Sequence, residues 1–151
     1  MRAKTATVRD LATPAVVTVR SQATLVECAE AMRSRHVGSL VVADADGKPL
    51  GIVTDRDLVV EAIALQLDPA TLTAGDVMSA PVATVRPDDD VFDALARMRE
   101  RGVRRLPVVD GQGRAVGLLA VDDLLGVLAE QIDSVVRVLR AEQTREAATR
   151  P

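Results

Sequence analysis

The sequence predicts a mixed α+β fold built from two related βαββα repeats. Three observations carry this. Residues 7–59 align with residues 73–125 without a gap, and 17 of the 53 positions are identical. A hydrophobic strand opens into a helix at the same place in both copies, as GIVTDRD at residues 51–57 and GLLAVDD at residues 117–123. Between these marks, short β-branched runs alternate with stretches of helical period. A duplication on this scale sets the architecture before any local reading does. Each copy is too small to bury a comfortable core alone, so packing against its twin about a pseudo-twofold axis is the expected solution.

The elements follow in order. Thr7 caps a short helical turn with Asp10 three residues on, and Thr73 with Asp76 repeats the reciprocal arrangement. Proline then leads each copy into a β-prone run, at residues 16–19 and 82–85. A helix follows, capped by Thr24 with Glu27 in the first copy and by Asp90 with Asp93 in the second. Leu25, Cys28, Ala29 and Met32 share one face of the first helix, and Val91, Ala94, Leu95 and Met98 share the matching face. On that face Cys28 reads as an inert buried thiol, since a reactive thiolate needs exposure and positive neighbours.

Two strands come next, residues 40–43 and 50–53, joined by Asp44-Ala45-Asp46-Gly47. Their counterparts, 106–109 and 116–119, are joined by Asp110-Gly111-Gln112-Gly113. Glycine supplies the positive φ that closes such a turn. Residues 58–67 then read as an apolar-rich helix stopped ahead of Pro69. The last helix starts near Asp123. Leu125, Leu128, Ile132, Val135 and Leu139 form a seam of about two heptads along it, packed either on the module's own body or on a second subunit. Beyond Ala141 no apolar face remains and the chain is expected to fray. The domain reading is therefore 7–67 for the first repeat, 68–72 for a linker, 73–126 for the second repeat, and 127–151 for a helical extension with a frayed tail.

Composition narrows the function classes. Of 151 residues 48% are hydrophobic, which argues against disorder, and Phe92 is the sole aromatic, so the core is aliphatic. A net charge of −3 offers no general attraction for nucleic acid. Cys28 alone cannot form an internal disulfide. No apolar run reaches the roughly 18 residues of a membrane span, and the first ten residues lack the apolar centre of a signal peptide, so a cytoplasmic location is expected. His36, the single histidine, falls at a helix end with no ligand-like spacing around it. No phosphate loop, dinucleotide fingerprint or nucleophile elbow occurs. Neither catalysis nor a metal site is expected.

The repeat order, the Asp-Ala-Asp-Gly turn and the GIVTDRD junction resemble a tandem pair of cystathionine β-synthase (CBS) domains, a Bateman module, of the stand-alone bacterial type. The resemblance covers residues 7–126. It implies a non-catalytic regulatory module, a homodimer, and a cleft for an adenosine-containing ligand. AMP, ADP or ATP stand ahead of S-adenosylmethionine or NAD, and the signal passes to an unidentified partner protein. The family pattern falls on Gly51, Thr54 and Asp57, where it implies that Thr54 meets phosphate or ribose and Asp57 accepts from ribose hydroxyls. The second copy keeps Gly117 and Asp123, but Ala120 replaces the hydroxyl. Val16 and Val17, with their counterparts Val82 and Ala83, are expected to line an adenine slot or to be ordinary sheet core.

The residues themselves support a binding site independently. A helix starting near Arg56 offers backbone N–H groups to an anion, and Thr54 and Arg56 add side-chain donors. The competing reading is that Thr54 caps the helix and Asp57 complements its dipole. Arg104 and Arg105 either supply the positive charge missing around Asp123 or form a solvated edge. The alternative to a sensor is a structural or dimerisation protein with degenerate, empty clefts.

Overall fold

The computed structural model of the chain describes residues 6–149; readings that rest on residues 1–5, 150 and 151, the start of the leader segment and the tip of the tail, lie outside the described residues. Helices α1 (Val8–Leu11), α2 (Leu25–Arg35), α3 (Asp55–Leu58), α4 (Ala74–Val77), α5 (Val91–Arg101) and α6 (Val121–Thr149) alternate with strands β1 (Thr18–Val19), β2 (Ser39–Ala43), β3 (Pro49–Thr54), β4 (Arg105–Val109) and β5 (Ala115–Ala120). The chain divides into two compact units, Met1–Leu119 and Ala120–Pro151.

Within the first unit the two repeats exchange their leading segments. Isolated backbone bridges join Thr7 with Asp90 and Thr24 with Thr73, and again Thr13 with Leu118 and Ile52 with Ser79. Shifting either member of a pair by the repeat offset generates the other. The hydrogen bonds repeat in the same way. Val8 N donates to Asp89 O at 2.9 Å, and Ala74 N to Ala23 O at 2.7 Å; Val91 N donates to Ala6 O at 3.2 Å, and Leu25 N to Leu72 O at 3.0 Å. This reciprocity is the signature of a pseudo-twofold. It places α1 on the second repeat and α4 on the first. Accordingly the core of the first repeat, formed by Cys28, Met32, Leu40, Val42 and Val53, is completed by Ala74, with Val77 and Met78 packed against it.

Gly51 and Gly117 are where the exchanged segments cross. A Cβ on Gly51 would lie 2.8 Å from Ser79 O, and one on Gly117 would lie 3.0 Å from Thr13 O. Glycine is required there for close backbone approach, not for its φ.

The sheets are small. Parallel β1–β2 and antiparallel β2–β3 pairs make a three-stranded sheet, while β4 and β5 make a two-stranded one. The turns after β2 and β4 are built identically. Asp44 Oδ1 accepts from Asp46 N and Lys48 N, and Asp110 Oδ1 accepts from Gln112 N and Arg114 N. Gly47 and Gly113 close them at φ 82° and 80°.

The second repeat lacks a counterpart of β1. Residues 82–85 contribute only a bridge from Val85 to Val108. The cause is Pro107. In the first repeat Val41 N donates to Val17 O at 3.0 Å; Pro107 occupies the equivalent position and has no N–H to give Ala83.

Other expectations need correction. Ala29 stays exposed and Leu95 is 36% exposed, so the buried stripes are narrower than the spacing suggested: Leu25, Cys28 and Met32 on α2, and Val91, Ala94 and Met98 on α5. The helix expected over residues 58–67 is instead α3 widening into a π-turn, Val59–Ile63, in which Ala64 N donates to Val59 O. Crowding by the β-branched residues Val59, Val60 and Ile63 favours the wider turn. An ordinary turn over residues 64–66 follows and closes at Gln66, φ 56°.

The second unit is essentially α6. It continues past Ala141 to Thr149. Ala, Glu, Gln and Arg are strong helix formers and sustain it without an apolar face. Its seam residues are solvent-exposed, Leu125 58%, Leu128 50%, Ile132 65%, Val135 60% and Leu139 54%.

Candidate functional site

A cavity of about 540 Å³ opens in the first unit where three pieces of chain meet. The end of β3 and start of α3 contribute Ile52, Thr54, Asp55 and Arg56. The crossing segment contributes Ser79, Pro81, Val82 and Ala83. The corner from α5 into β4 contributes residues 101–105, among them Arg101, Arg104 and Arg105. Thr54, Val82, Ala83 and Arg105 are half-buried, whereas Arg56, Arg101 and Arg104 are exposed.

At the junction Thr54 and Asp57 form a reciprocal cap. Asp57 Oδ2 accepts from Thr54 N at 2.7 Å and from Thr54 Oγ1 at 2.9 Å, and Asp57 N donates to Thr54 Oγ1 at 3.3 Å. Asp55 N donates to Gly38 O at 3.0 Å, and Arg56 N to Asp55 Oδ1 at 2.8 Å. The first three amides of α3 are thus satisfied internally, which corrects the expectation that they await an anion. Positive charge at this cavity comes from guanidinium side chains. Asp57 is half-buried beside the cavity but is not among its wall residues.

The twin position lies in the second unit. Asp123 Oδ2 accepts from Ala120 N at 2.8 Å. The carboxylate half of the cap is retained, and the hydroxyl half is lost with Ala120.

A second cavity of about 110 Å³, also in the first unit, is lined by Val16 and Val17 together with Thr13, Ala15, Val37, Ser39, Val41 and Leu118. By the repeat offset it is the twin of the first: Val16 and Val17 stand where Val82 and Ala83 stand, and Ser39 where Arg105 stands. No charged residue lines it. Arg104 and Arg105, considered in sequence as helpers of the Asp123 site, stand in the wall of the larger cavity with Thr54 and Arg56. The repeats exchange segments, so a residue of the second copy completes a cavity begun by the first.

Two residues of the site escaped sequence reading. Arg101 is conspicuous only through the cavity, because its counterpart Arg35 occupies the same helix end. Pro107 leaves the carbonyl of Ala83 without a donor among the described residues; the signal was a proline in an otherwise strand-like run.

Cys28 is fully buried, and burial pushes its thiol pKa up, assisted by Glu27. His36 caps α2 in the left-handed conformation, φ 54°. Among the described residues no group of three or more His, Cys, Asp or Glu could hold a metal ion. No helix there is long and apolar enough to cross a membrane.

Comparison with known proteins places these features. The CBS domain model matches residues 8–63 and 74–130. An uncharacterized protein of Methanopyrus kandleri is 37% identical over 124 residues; these are 82% of this chain but 63% of the relative, so the chain spans less than two thirds of that protein. Hypoxic response protein 1 of Mycobacterium tuberculosis is 33% identical over 135 residues, covering 89% of this chain and 92% of the relative. A crystal structure of hypoxic response protein I with two coordinated zinc ions superposes with a TM-score of 0.70 at 33% identity, covering 80% of this chain and 97% of that one. The CBS domain pair of protein MJ0100, crystallised with 5′-methylthioadenosine and S-adenosyl-L-methionine, superposes with a TM-score of 0.72 at 25% identity, covering 82% and 99%.

Proposed function

The chain belongs to the CBS-domain family as a tandem, non-catalytic regulatory pair, and from that premise we propose that its larger cavity takes one adenosine nucleotide and signals its presence to a partner protein. The observation that carries this reading is the carbonyl of Ala83. Pro107 leaves it without a donor on a wall that also holds Ile52, Pro81 and Val82. An apolar slot with an acceptor in its wall suits adenine, whose exocyclic amine donates, better than hypoxanthine, which has a carbonyl at that ring position. Asp57 keeps Oδ1 outside the cap, available to ribose hydroxyls. At about 540 Å³ the cavity has the size of a small-ligand site, whereas the 110 Å³ twin is too small for a nucleotide. The ligands bound by the related MJ0100 pair are adenosine compounds, which supports the same class here. AMP, ADP and ATP stand ahead of S-adenosylmethionine and NAD. Self-association through the exposed α6 seam, giving a homodimer, belongs to the same proposal.

Thermal shift and calorimetric titration test it. A ligand at 100 times its Kd adds about 2.7 kcal/mol to stability, a rise in Tm of roughly 5–10 °C for a chain of this size. Adenosine nucleotides should bind one per chain and at least about tenfold more tightly than their inosine counterparts. Folded protein that shows neither heat nor stabilisation with any adenosine ligand refutes the sensor and leaves the scaffold reading.

A further inference from the structure

Residues 80–84 run along the larger cavity, which Pro81, Val82 and Ala83 help to line. Among the described residues their backbone takes part in a single hydrogen bond, from Arg97 Nη1 to Thr84 O at 2.9 Å. Sheet-like bonds begin only at the next residue, where Val85 N donates to Pro107 O at 3.0 Å and Val109 N to Val85 O at 2.9 Å. Upstream, the nearest are the two bonds between Ser79 and Ile52. Asp89 aims the guanidinium. Its Oδ2 accepts from Arg86 N at 2.9 Å and lies 3.4 Å from Arg97 Nη1. The side chains of Arg97 and Asp89 are 48% and 28% exposed, so the ion pair by itself adds little stability. The shorter, charge-assisted bond to the Thr84 carbonyl is the stronger contact. Neither Arg97 nor Asp89 is a wall residue of the larger cavity; with Thr84 they line a separate one of about 420 Å³. Any influence they have on a ligand passes through the segment they hold.

The duplication indicates what the contact is for. The counterparts of Arg97 and Asp89 in the first repeat are Ala31 and Ala23, which cannot make it. There the ladder holds the segment: Val41 N donates to Val17 O, and Thr18 and Val19 pair with β2. Pro107 removes the matching N–H from the second repeat. The arginine and the aspartate thus occur in the same repeat as the proline. The bond lost at Ala83 is made good one residue on, by a side chain reaching from α5.

We propose that Arg97, aimed by Asp89, is a positioning residue of the larger cavity: it anchors residues 82–84 in place of the ladder bond that Pro107 deletes, so the Ala83 carbonyl stays open while the wall that carries it keeps its place. The effect on ligand binding rests on the adenosine reading above; the anchoring does not.

Amide hydrogen exchange of the full chain, followed by NMR, reads the anchor directly. Arg97→Met keeps an aliphatic stem and removes donor and charge. In it the Val85 amide should exchange about tenfold faster than in wild type, the low end for a charged hydrogen bond, while the Val41 amide of the first repeat is unmoved. Arg97→Lys keeps a charged donor and should restore most of the protection. Pro107→Val returns the ladder N–H, and in that background Arg97→Met should change Val85 exchange by less than about twofold. Calorimetric titration with AMP reads the cavity. A wall in place for only a fraction of the time lowers apparent affinity by that fraction, so Arg97→Met and Asp89→Ala should each weaken AMP binding about three- to tenfold, with Arg97→Lys near wild type. Unchanged Val85 exchange in Arg97→Met, or equal acceleration with and without Pro107→Val, overturns the anchor. Charge acting through space predicts opposite signs, weaker AMP binding without Arg97 and tighter binding without Asp89, and that pattern overturns the positioning role, as does faster exchange with unaltered affinity. Folded wild type that binds no adenosine nucleotide overturns the adenosine reading and with it the effect on binding, and the anchor is then decided by exchange alone.

Discussion

Replacing Gly51 by alanine tests the crossing on which the cavity depends. The new Cβ would lie 2.7 Å from Met78 Sδ and 2.8 Å from Ser79 O. The sulfur can swing aside, but the carbonyl is backbone, so residues 78–79 must retreat. They are held by Ile52 N donating to Ser79 O at 3.2 Å and Ser79 N donating to Ile52 O at 2.9 Å. Overpacking costs about 1–3 kcal/mol, and weakening two backbone bonds adds about 0.5–1.5 kcal/mol for each one lost. A total of about 2–4 kcal/mol is expected. Gly117→Ala meets Thr13 O at 3.0 Å, its closest contact, and should cost less, about 1–2 kcal/mol. Gly111→Ala meets nothing within 4 Å and should stay within about 0.5 kcal/mol of wild type. In urea denaturation, with m of about 1–3 kcal/mol per molar, Gly51→Ala should lower the midpoint by about 1–2 M at unchanged m. A Gly51→Ala midpoint equal to that of Gly111→Ala would refute the account of the crossing. Ser79 also lies on the cavity wall, so the same substitution should weaken ligand binding in protein that remains folded.

Two further outcomes are expected. The carboxyl of Asp110 is held below its ordinary value of 3.8, chiefly by the backbone N–H of Arg114; a depressed folded pKa stabilises above the unfolded value and loses that contribution as pH falls through the folded one. The gap in urea midpoint between wild type and Asp110→Asn should therefore be open at pH 7 and narrow below about pH 4, and an equal gap at pH 7 and pH 3 would contradict the assignment. On α6, Ile132 is 65% exposed in the middle of the apolar seam. Ile132→Lys should shift sedimentation at micromolar concentration from two chains toward one, and unchanged sedimentation would place association away from the seam.

What could be read in the sequence was local or periodic. Thr24 with Glu27, Thr54 with Asp57 and Thr73 with Asp76 declare their caps within four residues, and each cap forms. The Asp44 and Asp110 turns are equally self-contained, since their donors lie two and four residues ahead. The duplication was legible because an aligned repeat needs no three-dimensional information. Gly51 was legible as part of a family pattern, though not for its physical reason, the close approach of Ser79.

What only the tertiary structure decided is who meets whom across the repeats. Arg104 and Arg105 lie some fifty residues beyond Thr54 in sequence, and nothing local pairs them with the first site rather than the second. The exchange of leading segments does so, through backbone bridges between Thr7 and Asp90 and between Ile52 and Ser79 that neither partner encodes alone. Pro107 shows the same division. Its missing N–H is evident from sequence, but that the deprived acceptor is Ala83, on a cavity wall, depends on strand register. The sequence by itself determined two βαββα repeats, their caps and turns. The fold decided that one cavity would be large and lined with arginines and its twin small and uncharged, because cavity volume and charge arise from side chains that only long-range packing brings together.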